Sequence, residues 1–153
     1  MKRVLNVFLG SDHAGFKAKE QLREYLTKKK IAYEDLSPVK YEGDDYPAAA
    51  FAVATAVAAD ARARGILVCG SGEGVAIAAN KVRGIRAVTV TDTQLAKMSR
   101  LHNDANVLGL SEWYLSIAQI KKITDVWLKT PFSGGKRHLR RIKEIAAYES
   151  RRK

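Results

Sequence analysis

The 153-residue chain is the length of one ordinary domain, long enough to bury a core without staples. Its 46% hydrophobic and 28% charged residues exclude a disordered or membrane-embedded chain, and a single cysteine excludes an intrachain disulfide. The net charge of +11 is uneven: residues 136–153 hold eight Lys and Arg against two Glu, which suits either nucleic acid or a phosphate ligand.

Lys2-Arg3 followed by an apolar run faintly resembles a signal peptide. Asn6 interrupts that run and Ser11-Asp12-His13 follows at once, so residues 4–9 read as a first strand. A helix over 14–29 carries Ala18, Leu22, Tyr25 and Leu26 at helical spacing, and a strand over 31–36 follows. Pro47 opens an alanine-rich helix to about residue 62, where a missing N–H costs least. Strands over 65–69, 86–90 and 106–110 then alternate with helices over 74–81, 93–101 and 115–129. Pro131 and Gly134-Gly135 break the chain before a final helix over 137–150. The strands are continuously apolar, as strands covered on both faces are, so the chain reads as one doubly wound α/β domain spanning 1–153. No stretch approaches the roughly 18 apolar residues of a membrane span, and a cytoplasmic location is expected.

Open parallel sheets bind ligands at the carboxyl ends of their strands. Three such loops hold reactive residues: 11–15, 69–74 and 91–92. In Cys69-Gly70-Ser71-Gly72-Glu73-Gly74 the glycines permit a tight turn whose N–H groups can face a phosphate or an enediolate oxygen. Cys69 is readable as a small core residue ending a strand, or as a base, since thiols beside helix N-termini ionise more readily than free ones. Asp12 suits a helix N-cap, although His13 and Gly15 beside it also suit a polar ligand. Asp44-Asp45-Tyr46-Pro47 reads as an acidic loop entering a helix. His102-Asn103 precedes the fifth strand, so fold logic leaves it outside the site, and Asn103 suits a left-handed helix end. The three histidines lack an i, i+4 pair and the cysteine lacks a CxxC partner, so no metal site is expected. On the last helix Leu139, Ile142, Ile145 and Ala146 form an apolar stripe. Arg137 and Arg141 share another face, one turn apart, where two guanidinium groups can grip a phosphate. Only Tyr148 interleaves with the basic residues of this tail, which argues against stacking on single-stranded nucleic acid.

In order along the chain, Gly10-Ser11-Asp12-His13-Ala14-Gly15-Phe16, Asp45-Tyr46-Pro47 and Gly65-Ile66-Leu67-Val68-Cys69-Gly70-Ser71-Gly72 resemble the ribose-5-phosphate isomerase B family. So do Ile77-Ala78-Ala79-Asn80-Lys81, Gly84-Ile85-Arg86-Ala87, His102-Asn103-Asp104-Ala105-Asn106-Val107-Leu108, and Arg137-His138 through Arg141. That family includes allose-6-phosphate isomerase and the galactose-6-phosphate isomerase subunits. The resemblance implies a three-layer αβα sandwich with a Rossmann-like five-stranded parallel sheet and an extra C-terminal helix. It also implies a homodimer or homotetramer with its active site at the subunit interface, the C-terminal helix packing there, and no cofactor or metal. The implied reaction is the interconversion of ribose 5-phosphate and ribulose 5-phosphate, with a six-carbon phosphosugar as the alternative. Cys69 is the implied base, His102 the ring-opening group and Asp12 its helper at the sugar oxygens, with Ser71 and the backbone of Gly70, Gly72 and Gly74 holding the enediolate. Asn103, Asp45 and Tyr46 are implied to line the sugar site, and His13, Arg137 and Arg141 to face the phosphate. Some members place glycine at the Cys69 position and a glutamate base six residues on. Here that position is Val75, which leaves the thiol as the base. Many members also carry an arginine shortly after the fifth strand, where this chain has Trp113.

Overall fold

Alternating side chains let each strand bury both of its faces. On β3 (Arg64–Cys69), Ile66 and Val68 join one core cluster, whereas Leu67 and Cys69 join the other. In the computed structural model, which describes residues 6–151, this strand lies at the centre of a parallel sheet. Its companions are β1 (Val7–Ser11), β2 (Tyr33–Asp35), β4 (Ala87–Thr89) and β5 (Val107–Ser111), in the order β2-β1-β3-β5-β4. Helices α1 (Phe16–Lys28), α4 (Thr93–Asn103) and α5 (Ile117–Lys129) bury Leu22, Leu26, Ala96, Ile123 and Trp127 on one face. Helices α2 (Tyr46–Ala59) and α3 (Glu73–Ala79) cover the other with Val53, Val57, Val75 and Ala79. The three expected layers are therefore present.

Two buried cations fix the connections. Lys19 Nζ lies 2.5 Å from Asp35 Oδ2 and 2.8 Å from Glu20 Oε1, tying α1 to the end of β2. Arg100 donates to the Ala105 carbonyl at 2.5 Å and pairs with Asp104 at 2.8 Å, holding the turn from α4 into β5. Here Asp104, with φ of 45°, takes the left-handed position that the sequence reading gives to Asn103. Asn103 is still helical, and the Arg86 and Arg100 contacts to Asp104 offset the cost of that conformation.

Element ends differ from the sequence reading by a few residues. β1 runs on to Ser11 because its ladder with β3 continues to Val68, while Val4 and Leu5 lie outside the described residues. α2 stops at Ala59 because the Asp60 carboxylate accepts the Arg62 N–H at 2.9 Å and turns the chain. The last helix, α6 (Lys136–Ser150), touches α4, but none of its residues is buried. Its apolar stripe stays at the surface, with Leu139 and Ile145 exposed.

Candidate active site

The strand order reverses between β1 and β3, and the loops leaving these neighbours converge. Gly15 permits the convergence: a Cβ there would collide with the Val68 carbonyl and lie 2.7 Å from the Cys69 nitrogen. Just before it, Asp12 is only 7% exposed, and its Oδ1 accepts the Gly15 N–H at 2.9 Å. It thus stabilises the turn into α1 rather than capping the helix, whose N-cap is Gly15. Burial pushes the Asp12 carboxyl above its ordinary range, and the nearby Asp44 charge adds to this. The Gly15 hydrogen bond and His13 oppose the shift.

His13 is held by a residue far away in sequence. Its backbone N–H donates to Asp44 Oδ1 at 2.7 Å, and its ring Nδ1 lies 3.0 Å from the same oxygen. This side-chain hydrogen bond raises the pKa of His13, so the ring stays cationic to higher pH than a free imidazole. Asp45, next along, is exposed, and its side chain caps nothing although it occupies the N-cap position of α2.

The Cys69 turn lies beside this loop. Cys69 is 4% exposed, and its Sγ accepts the Gly72 N–H at 3.1 Å. Gly72 has φ of 82° and sits so close to β5 that a Cβ would lie 2.8 Å from the Leu110 carbonyl carbon. Thr89 Oγ1 donates to the Gly72 carbonyl at 2.9 Å, which pins the turn to β4 as well. Ser71 Oγ accepts the Glu73 N–H at 3.3 Å. An aromatic ring covers each end of the turn. A Cβ at Gly74 would lie 2.7 Å from Tyr46 Cζ, and one at Gly70 would lie 2.5 Å from Trp113 Cζ2.

A second group lies at the opposite edge of the sheet. α4 runs back along the strands, so His102 and Asn103, its last two residues, sit near their amino ends. β3 alone spans about 17 Å between those edges at ~3.3 Å per residue. The rings of His102 and His138 stack with centroids 4.4 Å apart and planes 12° apart. His138 is the first-turn residue of α6 between Arg137 and Arg141. Burial lowers its pKa, and the charges of His102, Arg137 and Arg141 lower it further.

A sequence model of the ribose/galactose isomerase family matches residues 7–145. The chain belongs to the ribose/galactose isomerase family. This isomerase is 40% identical over 152 residues to ribose-5-phosphate isomerase B of Escherichia coli, covering 99% of each chain. It superposes on the ribose-5-phosphate isomerase B structure of Clostridium thermocellum with a TM-score of 0.93 at 40% identity, covering 97% of this chain and 100% of that one. The Mycoplasma genitalium enzyme, solved with bound ribulose-5-phosphate, gives a TM-score of 0.91 at 42% identity, covering 95% of this chain and 97% of that one.

Within this isomerase the residues singled out from sequence fall into two groups. Asp12, His13, Asp45, Tyr46, Cys69, Gly70, Ser71, Gly72 and Gly74 gather at the carboxyl edge, whereas His102, Asn103, Arg137 and Arg141 gather at the amino edge. Sequence reasoning missed Asp44 as the partner of His13, since an acidic loop gives no sign of which distant residue it holds. It also missed His138 as the residue stacked on His102; only its place between the two arginines marked it. Among the described residues no cluster of His, Cys, Asp and Glu could hold a metal ion, and no helix is long and apolar enough to cross a membrane.

Proposed function

We propose that this chain interconverts ribose 5-phosphate and ribulose 5-phosphate through an enediolate, with Cys69 as the base. The observation that carries the assignment is the Cys69–Gly72 turn, a thiol at a strand end with a backbone N–H aimed at its sulfur from 3.1 Å. That donor binds most strongly when the sulfur is negative, as a base must be before it accepts a proton. The thiolate removes the C2 proton of the open-chain aldose, and the freed electron pair makes C1=C2 as the C1 oxygen becomes anionic. The C1 oxygen then takes up the C2 hydroxyl proton, and the pair returns to C1 with the proton held on sulfur, leaving C2=O. Ser71 Oγ and the backbone N–H groups of Gly70 and Gly74 are suited to the enediolate oxygens, while the Gly72 N–H serves the sulfur.

Ring opening requires a base at the anomeric hydroxyl and an acid at the ring oxygen. We assign these tasks to His102 and Asp12, whose burial-raised pKa keeps a proton available at higher pH than an ordinary carboxyl has. The separation of His102 from Cys69 within one chain supports a site shared by two copies. In that arrangement His102, Asn103, Arg137 and Arg141 of one copy meet the Cys69 turn of the other, and α6 packs at the interface. The surface-exposed stripe of α6 supports this, because an apolar helix face with no fully buried residue in its own chain favours a partner. His13, whose pKa Asp44 raises, and the two arginines would together hold the phosphate. Asp45 and Tyr46 line the sugar, and the whole chain acts as one isomerase domain needing no cofactor.

The test is turnover by the purified protein of ribose 5-phosphate in a coupled ketose assay, beside allose 6-phosphate and galactose 6-phosphate. Ribulose 5-phosphate formation with the highest kcat/KM is expected. Faster turnover of a six-carbon substrate would replace the substrate, and turnover of none would remove the assignment.

A further inference from the structure

Trp113 packs against the catalytic turn yet remains largely open to solvent. Its indole atoms Cζ2, Cε2 and Cη2 would lie 2.5–2.6 Å from a Cβ on Gly70, so the ring occupies the space a side chain there would fill. Four hydrogen bonds fix the loop that carries it. Glu112 N donates to the Cys69 carbonyl at 3.0 Å and Trp113 N to the Gly70 carbonyl at 3.1 Å. Ser111 Oγ donates to the same Gly70 carbonyl at 2.6 Å and accepts the Tyr114 N–H at 3.0 Å. The Glu112 carboxylate is turned away and accepts the Ala18 N–H at 2.9 Å. The other tryptophan, Trp127, is fully buried in the core at 0% exposure. Trp113 is 67% exposed.

The geometry points to Trp113 as a substrate-facing, specificity-determining residue: its free indole face forms the apolar wall on which the C–H face of the bound sugar rests. The inference builds on the proposed isomerase reading and deepens it. A rigid aromatic wall contributes contact area at little entropic cost. No charged group of the 111–114 loop other than Glu112 competes for that space, and Glu112 is engaged with α1.

The two tryptophans make the test direct, because acrylamide quenches an exposed indole and leaves the buried Trp127 as an internal reference. In Cys69→Ala protein, ribose 5-phosphate binds without turnover and is expected to protect Trp113 from acrylamide. In a wild-type Cys69 background, Trp113→Ala is expected to raise KM about three- to tenfold, as the loss of one aromatic contact does, with kcat changed much less. Trp113→Phe is expected to restore most of that KM. Quenching that ligand does not alter, a Trp113 already shielded before ligand is added, or an unchanged KM in Trp113→Ala would overturn the inference while wild-type turnover of ribose 5-phosphate leaves the isomerase reading standing. Absence of that turnover would remove both.

Discussion

The two edges of the sheet are built by opposite means. At the carboxyl edge the backbone does most of the work: Gly15, Gly72 and the Gly72–Sγ hydrogen bond leave the Cys69 turn almost no freedom, and Asp12 and Cys69 are buried. At the amino edge His102, His138, Arg137 and Arg141 project from helix ends, held chiefly by one ring stack, and no residue of α6 is fully buried. The first is a closely packed, rigid turn. The second has the composition of a ligand site without the enclosure that would make it one. On the proposed reading the contrast has a reason: proton abstraction demands fixed geometry, whereas phosphate capture and ring opening could be delivered by side chains arriving with a second copy.

The largest effect expected concerns the rigid edge. Cys69→Ala should lower kcat by about 10²–10⁴-fold, the range a general base contributes, and abolish exchange of the C2 proton with D2O. Calorimetry should find phosphosugar binding nearly unchanged. Wild-type exchange in this variant would return Cys69 to the core and dissolve the contrast between the edges.

Complementation addresses the second edge. Cys69→Ala and His102→Ala proteins, each inactive alone, should recover roughly a quarter of wild-type activity when unfolded together and refolded as mixed dimers, because half the dimers then carry one intact site. If both groups served within one chain, mixing would recover nothing.

The layers, the strand count and the Cys69 turn were legible because they rest on local signals: continuous apolar runs, Pro47 and clustered glycines. The paired edges were not. His102 lies outside the carboxyl-edge loops by topology, and only the ordered motif series linked it to Cys69. Asp44 escaped because its hydrogen bond to His13 spans 31 residues and its own sequence context looks like helix entry. The left-handed residue after α4 was misplaced by one because two arginine contacts to Asp104 override the ordinary preference for asparagine.

A backbone test of the rigid edge comes next. Gly15→Ala should destabilise the fold by roughly 2–4 kcal/mol, because the new methyl meets the Val68 carbonyl, which cannot rotate away as a flexible side chain could. Urea unfolding should detect the loss. A change below ~0.5 kcal/mol would mean that the β1 and β3 loops can part, and the turn would then be less fixed than the packing implies.

The smallest effect separates charge from framework at His13. Asp44→Asn keeps an oxygen that can accept the His13 N–H but removes the carboxylate that raises its pKa. A group whose folded pKa is raised contributes stability below its unfolded pKa and loses it as pH rises through the folded value. The same window governs its charge. In the wild type, His13 should therefore hold phosphate tightly up to its raised pKa, and KM should climb above that pH. In Asp44→Asn the climb should begin at lower pH, nearer the ordinary histidine value, with kcat little changed at pH 6. NMR titration of the His13 ring would follow the same shift directly. An unmoved midpoint would show that Asp44 positions the ring without tuning it, and the charge at this edge would then have to come from the arginines of the other.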